Sequence, residues 1–184
     1  MAQARVPRSY GACPCPAEAS TRRTRITLRL VPAASLLLAA ASPAIAASNN
    51  VRITGLTDVA FGLLTNLSSD AVSSQSVCVY ANTATNGYNV RASGSGPAGA
   101  FSLASAASNL PFEVQWNSSS GQSSGTQLTA NVALSGQAST ATQQSCNSGP
   151  AASASLIVIL RTAALSSATA GSYNGSLTLV IGPE

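Results

Sequence analysis

Hydrophobic and polar residues alternate along short runs of the chain after about residue 50, and Gly, Asn, Ser and Pro separate these runs. Alternation with a period of two places the apolar side chains on one face of an extended strand. Several such runs in succession are typical of an antiparallel sandwich. The pattern therefore predicts an all-β domain and favours no long helix.

Nine segments show this strand pattern. Leu110–Trp116 is the clearest, because apolar and polar positions alternate over its length. Leu156–Leu160 is apolar without interruption, which predicts a strand covered on both faces. The nine predicted strands are Val51–Leu56, Val59–Leu64, Ser76–Ala81, Tyr88–Ala92, Ala100–Ala104, Leu110–Trp116, Leu128–Leu134, Leu156–Leu160 and Tyr173–Ile181.

The predicted core comes from the strongest of these strands. Their alternating or continuous apolar positions should meet between two sheets, where burial of apolar surface stabilises the fold. The predicted core and groove residues are Phe112, Val114, Trp116, Leu156, Val158, Leu160, Leu177 and Leu179.

The N-terminal part of the chain has the pattern of an export signal. Four arginines between residues 22 and 29 precede an apolar run over residues 30–41, and Pro43 breaks that run before Ala44-Ile45-Ala46. This predicts a leader over residues 1–46, with the signal peptide core at about residues 21–46 and cleavage at Ala46 or Ala47. The apolar run is too short to span a bilayer. We therefore expect an exported domain over residues 47–184 that does not span a membrane when mature.

Charge belongs mainly to the leader. Nine arginines and five acidic residues give the chain a formal net charge of +4, but most of the arginines precede residue 47. The rest of the chain is close to neutral, so the basic balance does not indicate a nucleic-acid partner. Its charged residues are Arg52, Arg91, Arg161, Asp58, Asp70, Glu113 and Glu184.

Cys78 and Cys146 are the two cysteines of the predicted mature domain. A cysteine pair in an exported protein is typical of a disulfide formed in an oxidising compartment. Free thiols are the alternative, although the chain has no histidine to lower a thiol pKa.

Catalytic chemistry has little support in this sequence. The chain contains no histidine and no lysine, which are common bases and activators of nucleophiles. Asp58 and Glu113 could act together only if the fold joined them. The Gly-rich run Ser93–Pro97 lacks the lysine of a phosphate-binding loop. We expect a non-enzymatic domain without a cofactor.

Several stretches carry a resemblance to a known family. These stretches are the last strand region Gly171–Glu184, the pair Ile53–Leu56 and Val59–Gly62, the short run Tyr88–Val90 and the run Leu110–Trp116. They are similar to the spore coat protein U family. That family includes subunits of archaic chaperone-usher pili. The similarity spans essentially all of residues 47–184.

The resemblance implies an immunoglobulin-like antiparallel β-sandwich that lacks one strand. A periplasmic chaperone and then another pilus subunit would supply that strand by β-augmentation, with an outer-membrane usher as a further partner. The chain would be a structural subunit of a surface fibre, found in the periplasm and then at the cell surface. Only residues 47–50 separate the predicted cleavage site from Val51, which favours a terminal or tip subunit with little strand to donate.

A self-complete secreted adhesin or carbohydrate-binding module is the alternative function. Trp116 and Tyr80 could then form an aromatic platform for a sugar. An open apolar groove beside the first and last strands would favour the fibre subunit, whereas an exposed aromatic and polar depression would favour the binding module.

Overall fold

A computed structural model describes residues 49–106 and 108–184. The predicted signal peptide and its cleavage site at Ala46 and Ala47 lie outside the described residues. The strands are β1 Asn50–Thr54, β2 Ala71–Asn82, β3 Gly87–Gly94, β4 Ser102–Ala104, β5 Asn109–Pro111, β6 Glu113–Asn117, β7 Thr126–Gln127, β8 Ala133–Ala138, β9 Ala154–Leu160 and β10 Leu177–Pro183, with a 3₁₀ turn at Pro97–Gly99 and a helix α1 at Thr162–Ser167.

These strands form two main antiparallel sheets and a small hairpin. The larger sheet has the order β1-β2-β9-β6-β7, the smaller has the order β10-β3-β8, and β4 pairs with β5. Buried residues of both main sheets meet in one continuous core. The prediction of an all-β, immunoglobulin-like antiparallel sandwich is therefore confirmed.

Alternating side chains of β2 and β3 face each other in this core. Val77 and Val79 of β2 and Tyr88 and Val90 of β3 are all fully buried. On the edge strand β1, Ile53 is the partner of Val79 in an antiparallel register and packs against the same core. The period of two in the sequence thus determines which face of each strand is buried.

Strand β9 is buried along its entire length. Leu156, Val158 and Leu160 belong to the core, while Ile157 and Ile159 alternate with them and are also buried. This agrees with the expectation that an uninterrupted apolar strand is covered on both faces.

A disulfide joins Cys78 of β2 to Cys146, with the two Cα atoms 6.0 Å apart. This separation is ordinary for a disulfide. The bond fixes the loop after β8 to the outward face of the larger sheet, where Ala141 and Tyr80 pack beside it.

Several predicted strands require correction, among them Tyr173–Ile181, which is a strand only from Leu177. Residues 59–64 form no strand and belong to an irregular connection between β1 and β2. Leu128–Leu134 is interrupted by a turn at Asn131, whose φ of 63° does not fit a strand, and the strand begins only at Ala133. The predicted strand Leu110–Trp116 is divided at Phe112 into β5, which pairs with β4, and β6, which pairs with β9 in the larger sheet.

Candidate functional site

An open groove of about 1400 Å³ lies beside β9 and β10 and is the candidate functional site. Core residues of the sandwich reach the surface of the groove, so the lining of the groove beside β9 is apolar. Leu156, Val158 and Leu160 of β9 take part together with Leu110 and Phe112. A core that opens to solvent along a strand is an incomplete burial of the hydrophobic interior.

Strand β10 borders the groove with both side chains and backbone. Leu177 and Leu179 line the groove, and with Ile181 they point toward the core. β10 is at the end of the strand order of its sheet, and its partner among the described residues is β3. Its other edge therefore presents unpaired backbone groups to a further strand.

Six of the eight predicted core and groove residues are buried. Trp116 is 1% exposed and Phe112 is 8% exposed. Leu177 and Leu179 are a correction to the prediction, because they are only half-buried. The physical reason is that the groove leaves their side chains without a covering layer.

A second part of the groove is lined by α1 and the loop that follows it. Leu165 of α1 is 1% exposed and packs into the core beside the groove. In the loop, the Tyr173 hydroxyl lies 2.6 Å from the Ser108 hydroxyl and donates to the Thr169 carbonyl at 2.9 Å. The hydrogen bond with Ser108 is the main cause of a lowered pKa at Tyr173. These polar contacts fix the loop against the β4–β5 side of the groove.

Ion pairs hold α1 on the larger sheet. The Arg161 guanidinium donates to the Asp70 carboxylate at 2.8 Å and to the Glu113 carboxylate at 2.6 Å. The Thr162 amide donates to Asp70, and this hydrogen bond is the largest cause that lowers the pKa of Asp70 to about 2. Arg161, in turn, has a raised pKa because both carboxylates accept from it. Glu113 therefore pairs with Arg161, and the conjectured partnership of Asp58 and Glu113 is not formed.

Residues 55–67, here called the covering segment, also line the groove. This segment leaves β1 at Gly55, whose φ is +82°, and residues 56–64 and Leu67 border the groove. Phe61 and Leu64 are half-buried and pack against the core. The predicted groove thus lies beside the last strand, but the segment after the first strand borders it instead of the first strand itself.

The side chain of Gln75 anchors the covering segment. Its amide oxygen accepts from the Thr57 backbone N–H at 2.9 Å, and its amide nitrogen donates to the Thr57 carbonyl at 3.1 Å. This pair of bonds imitates one step of a β-ladder. Sequence reasoning missed Gln75, although a glutamine in register with the inward positions of β2 is the signal that could have indicated it.

The proposed aromatic platform for a sugar is not formed. Trp116 is buried, and its indole N–H donates to the Tyr88 hydroxyl at 3.1 Å inside the core. Tyr80 instead lines a separate shallow hollow of about 360 Å³ with polar neighbours that include Asn82, Asn86 and Thr140. This hollow lies on the outward face of the larger sheet.

Within residues 49–106 and 108–184, no three His, Cys, Asp or Glu side chains are grouped so that they could hold a metal ion. The helices of the same described residues include none long and apolar enough to cross a membrane.

Solved structures that are similar to this protein include chains from two complexes. One is a chain from a chaperone–tip adhesin complex described as vital for synergistic activation of CFA/I fimbriae biogenesis, with 16% identity and a TM-score of 0.47 over 74% of this protein and 41% of that chain. The other is from the CsuC–CsuE chaperone–tip adhesion subunit pre-assembly complex of archaic chaperone-usher Csu pili of Acinetobacter baumannii, with 17% identity and a TM-score of 0.38 over 73% of this protein and 39% of that chain.

This protein therefore spans about two fifths of the length of the chains that it resembles. No family model matches the sequence, and no curated protein matches it. The similarity to the spore coat protein U family stays a prediction.

Proposed function

We propose that this protein is a non-enzymatic structural subunit of a bacterial surface fibre, exported to the periplasm and then held at the cell surface. The observation that carries the proposal is the open apolar groove beside the free edge of β10. A groove of this kind is suited to an added strand, because the strand can pair with backbone groups and bury alternate side chains at the same time.

The chemistry of the groove favours an extended, alternating apolar strand as its ligand. Leu177 and Leu179 supply one apolar border, and Val158 and Leu160 supply another. An added strand on β10 would cover these side chains and satisfy the exposed edge. We propose that a periplasmic chaperone supplies such a strand before assembly and that another pilus subunit supplies it in the fibre, with an outer-membrane usher as the assembly site.

The use of the first strand supports a position at the end of the fibre. Residues Asn50–Thr54 pair with β2 over the whole of β1, so this strand is already part of the subunit's own sheet. If cleavage occurs at Ala46 or Ala47, little chain remains to act as a donor. We therefore propose a terminal or tip subunit that accepts a strand.

The alternative is a self-complete secreted adhesin or carbohydrate-binding module. The hollow beside Tyr80 favours it, since an aromatic ring with amide and hydroxyl neighbours suits a sugar. The two functions differ in whether the domain needs an added strand to be stable.

A grafted strand tests the proposal. The full chain is extended after Glu184 by an Asn-Gly turn and about nine alternating Val and Thr residues, which can return along β10 as a hairpin. We expect the unmodified chain to self-associate and the grafted chain to be monomeric with a higher Tm, measured by size-exclusion chromatography and thermal melting. A matched graft with Asp in place of every Val should have no effect.

The opposite result is equally clear. An unmodified chain that is a stable monomer with cooperative melting, and whose Tm the Val and Thr graft does not raise, would contradict the fibre proposal. The self-complete binding module would then be the better function.

A further inference from the structure

The covering segment differs from the other borders of the groove in how it is held. The other borders include strands β9 and β10, which belong to sheets, and α1 with its loop, which is fixed by ion pairs and hydroxyl contacts. The covering segment has no strand partner among the described residues. Its backbone is instead bound at Thr57 by the side chain of Gln75.

Only some of the apolar side chains of the covering segment pack against the core. Phe61 and Leu64 pack against the core, whereas Leu63 is 89% exposed. Leu56, Val59 and Leu67 are also large apolar side chains exposed to solvent. The covering segment therefore buries little of its apolar surface in its present position. Few buried apolar contacts are typical of a part of a fold with low local stability.

We propose that the covering segment is a displaceable cover of the groove, and this inference rests on the proposed function of the groove as a strand acceptor. In the lone subunit, Phe61 and Leu64 shield the exposed core. An incoming strand displaces them and takes their place.

The balance of contacts favours displacement. A strand that enters beside β10 forms a continuous ladder with its free edge, whereas the cover has a ladder-like contact only at Thr57. Residues 55–70 connect β1 to β2, so the cover can swing away without breaking the pairing of either strand. Gly55 and Gly62 have φ values of +82° and +65°, conformations that suit hinge positions in such a motion.

Binding of a labelled peptide tests the cover. The probe is a synthetic peptide of alternating Val and Thr with a lysine at each end, and the protein is the full chain. When a cover occupies a site, the apparent affinity equals the intrinsic affinity multiplied by the fraction of molecules that are open. We expect Phe61→Ala and Gln75→Ala each to lower the apparent Kd on the order of tenfold, because each removes one anchor of the cover.

Leu63→Ala is the matched control, since it removes an apolar side chain of the same segment that is 89% exposed. Its Kd should equal that of the unmodified chain. Circular dichroism establishes that every variant is folded. The full chain has four cysteines, so the number of titratable thiols should be the same in every variant as in the unmodified chain if the disulfide is retained. Gln75→Ala leaves the apolar core intact, so it preserves the test if Phe61→Ala folds poorly.

The outcomes separate the cover from the proposed function. Equal peptide affinity in all variants would overturn the cover and leave the strand acceptor in place. If neither the unmodified chain nor any variant binds the peptide, the proposal that the groove accepts a strand is wrong. Binding of the dye bis-ANS then tests whether the covering segment shields the core. Brighter dye fluorescence with Phe61→Ala than with Leu63→Ala supports the cover, and equal fluorescence overturns it.

Discussion

At the scale of single residues, the contact between Trp116 and Tyr88 joins the two sheets inside the core. The rings meet edge to face with centroids 6.4 Å apart, and the indole N–H donates to the tyrosine hydroxyl. Both side chains are buried, so each polar atom depends on the other. Burial is also the main cause that raises the pKa of Tyr88. The contact is therefore a polar link that keeps one arrangement of the two sheets.

Removal of the Tyr88 hydroxyl should destabilise the domain without creating a large cavity. Tyr88→Phe leaves the buried Trp116 N–H without an acceptor, which costs about 1–3 kcal/mol in the free energy of unfolding. Urea unfolding followed by tryptophan fluorescence measures this cost. Tyr80→Phe, at a half-exposed position on the outward face, should change stability by less than about 0.5 kcal/mol. Equal effects of both variants would contradict the importance of the link.

At the scale of elements, α1 depends on a residue far away in the sequence. Asp70, immediately before β2, accepts from both the amide and the hydroxyl of Thr162 at the first residue of the helix. The residue before the helix, Arg161, makes no side-chain cap of its own. A helix of six residues has little intrinsic stability, so this contact and the burial of Leu165 hold it beside the groove.

Acid should weaken the attachment of α1. The pKa of Asp70 is about 2 in the folded protein and 3.8 ordinarily, so its contribution to stability is present above pH 3.8 and is lost as the pH falls toward 2. Asp70→Asn should therefore lower the Tm at pH 6 and have little effect at pH 2, as measured by thermal melting across this range. Asp58→Asn, which removes a carboxylate that does not bond Arg161, is the control. A constant difference in Tm between wild type and Asp70→Asn at all pH values would contradict this assignment.

The strands that the sequence predicts well are those whose alternation coincides with a ladder partner. β3 is an example, because its alternating residues Tyr88 and Val90 face the core and the strand pairs with both β10 and β8. Alternation alone was insufficient at Val59–Leu64, where no strand lies alongside in the described structure. Pairing is a property of the whole fold and is absent from a local pattern.

The parts of the candidate site that the sequence does not predict also depend on contacts between distant parts of the chain. α1 was not predicted because its cap, Asp70, is 92 residues away from Thr162. The Gln75–Thr57 pair likewise depends on a connection that folds back over β2. The apolar border residues could be predicted from their period, but the openness of the groove beside Leu177 and Leu179 could not.

At the scale of the whole molecule, the Cys78–Cys146 bond restricts the unfolded chain. The two cysteines are 68 residues apart, and a loop of this length corresponds to about 4 kcal/mol in the chain-entropy account of disulfides. Cys78→Ala combined with Cys146→Ala should lower the free energy of unfolding by about this amount. Urea unfolding measures the effect, and the wild type in reductant should approach the double variant. A double variant as stable as the oxidised wild type would contradict the prediction.

The same bond limits how far the molecule can be stretched. If the protein carries tension in a fibre, force passes from Cys78 directly to Cys146 and bypasses the strands β3 to β8 that lie between them. With the bond intact, an unravelled chain is shorter by roughly 230 Å than a reduced one, since 68 residues extend by about 3.4 Å each. β1, β9 and β10 lie outside this closed loop, so load reaches the strands at the groove while most of the smaller sheet is shielded. The disulfide would act as a mechanical stop for each subunit under flow.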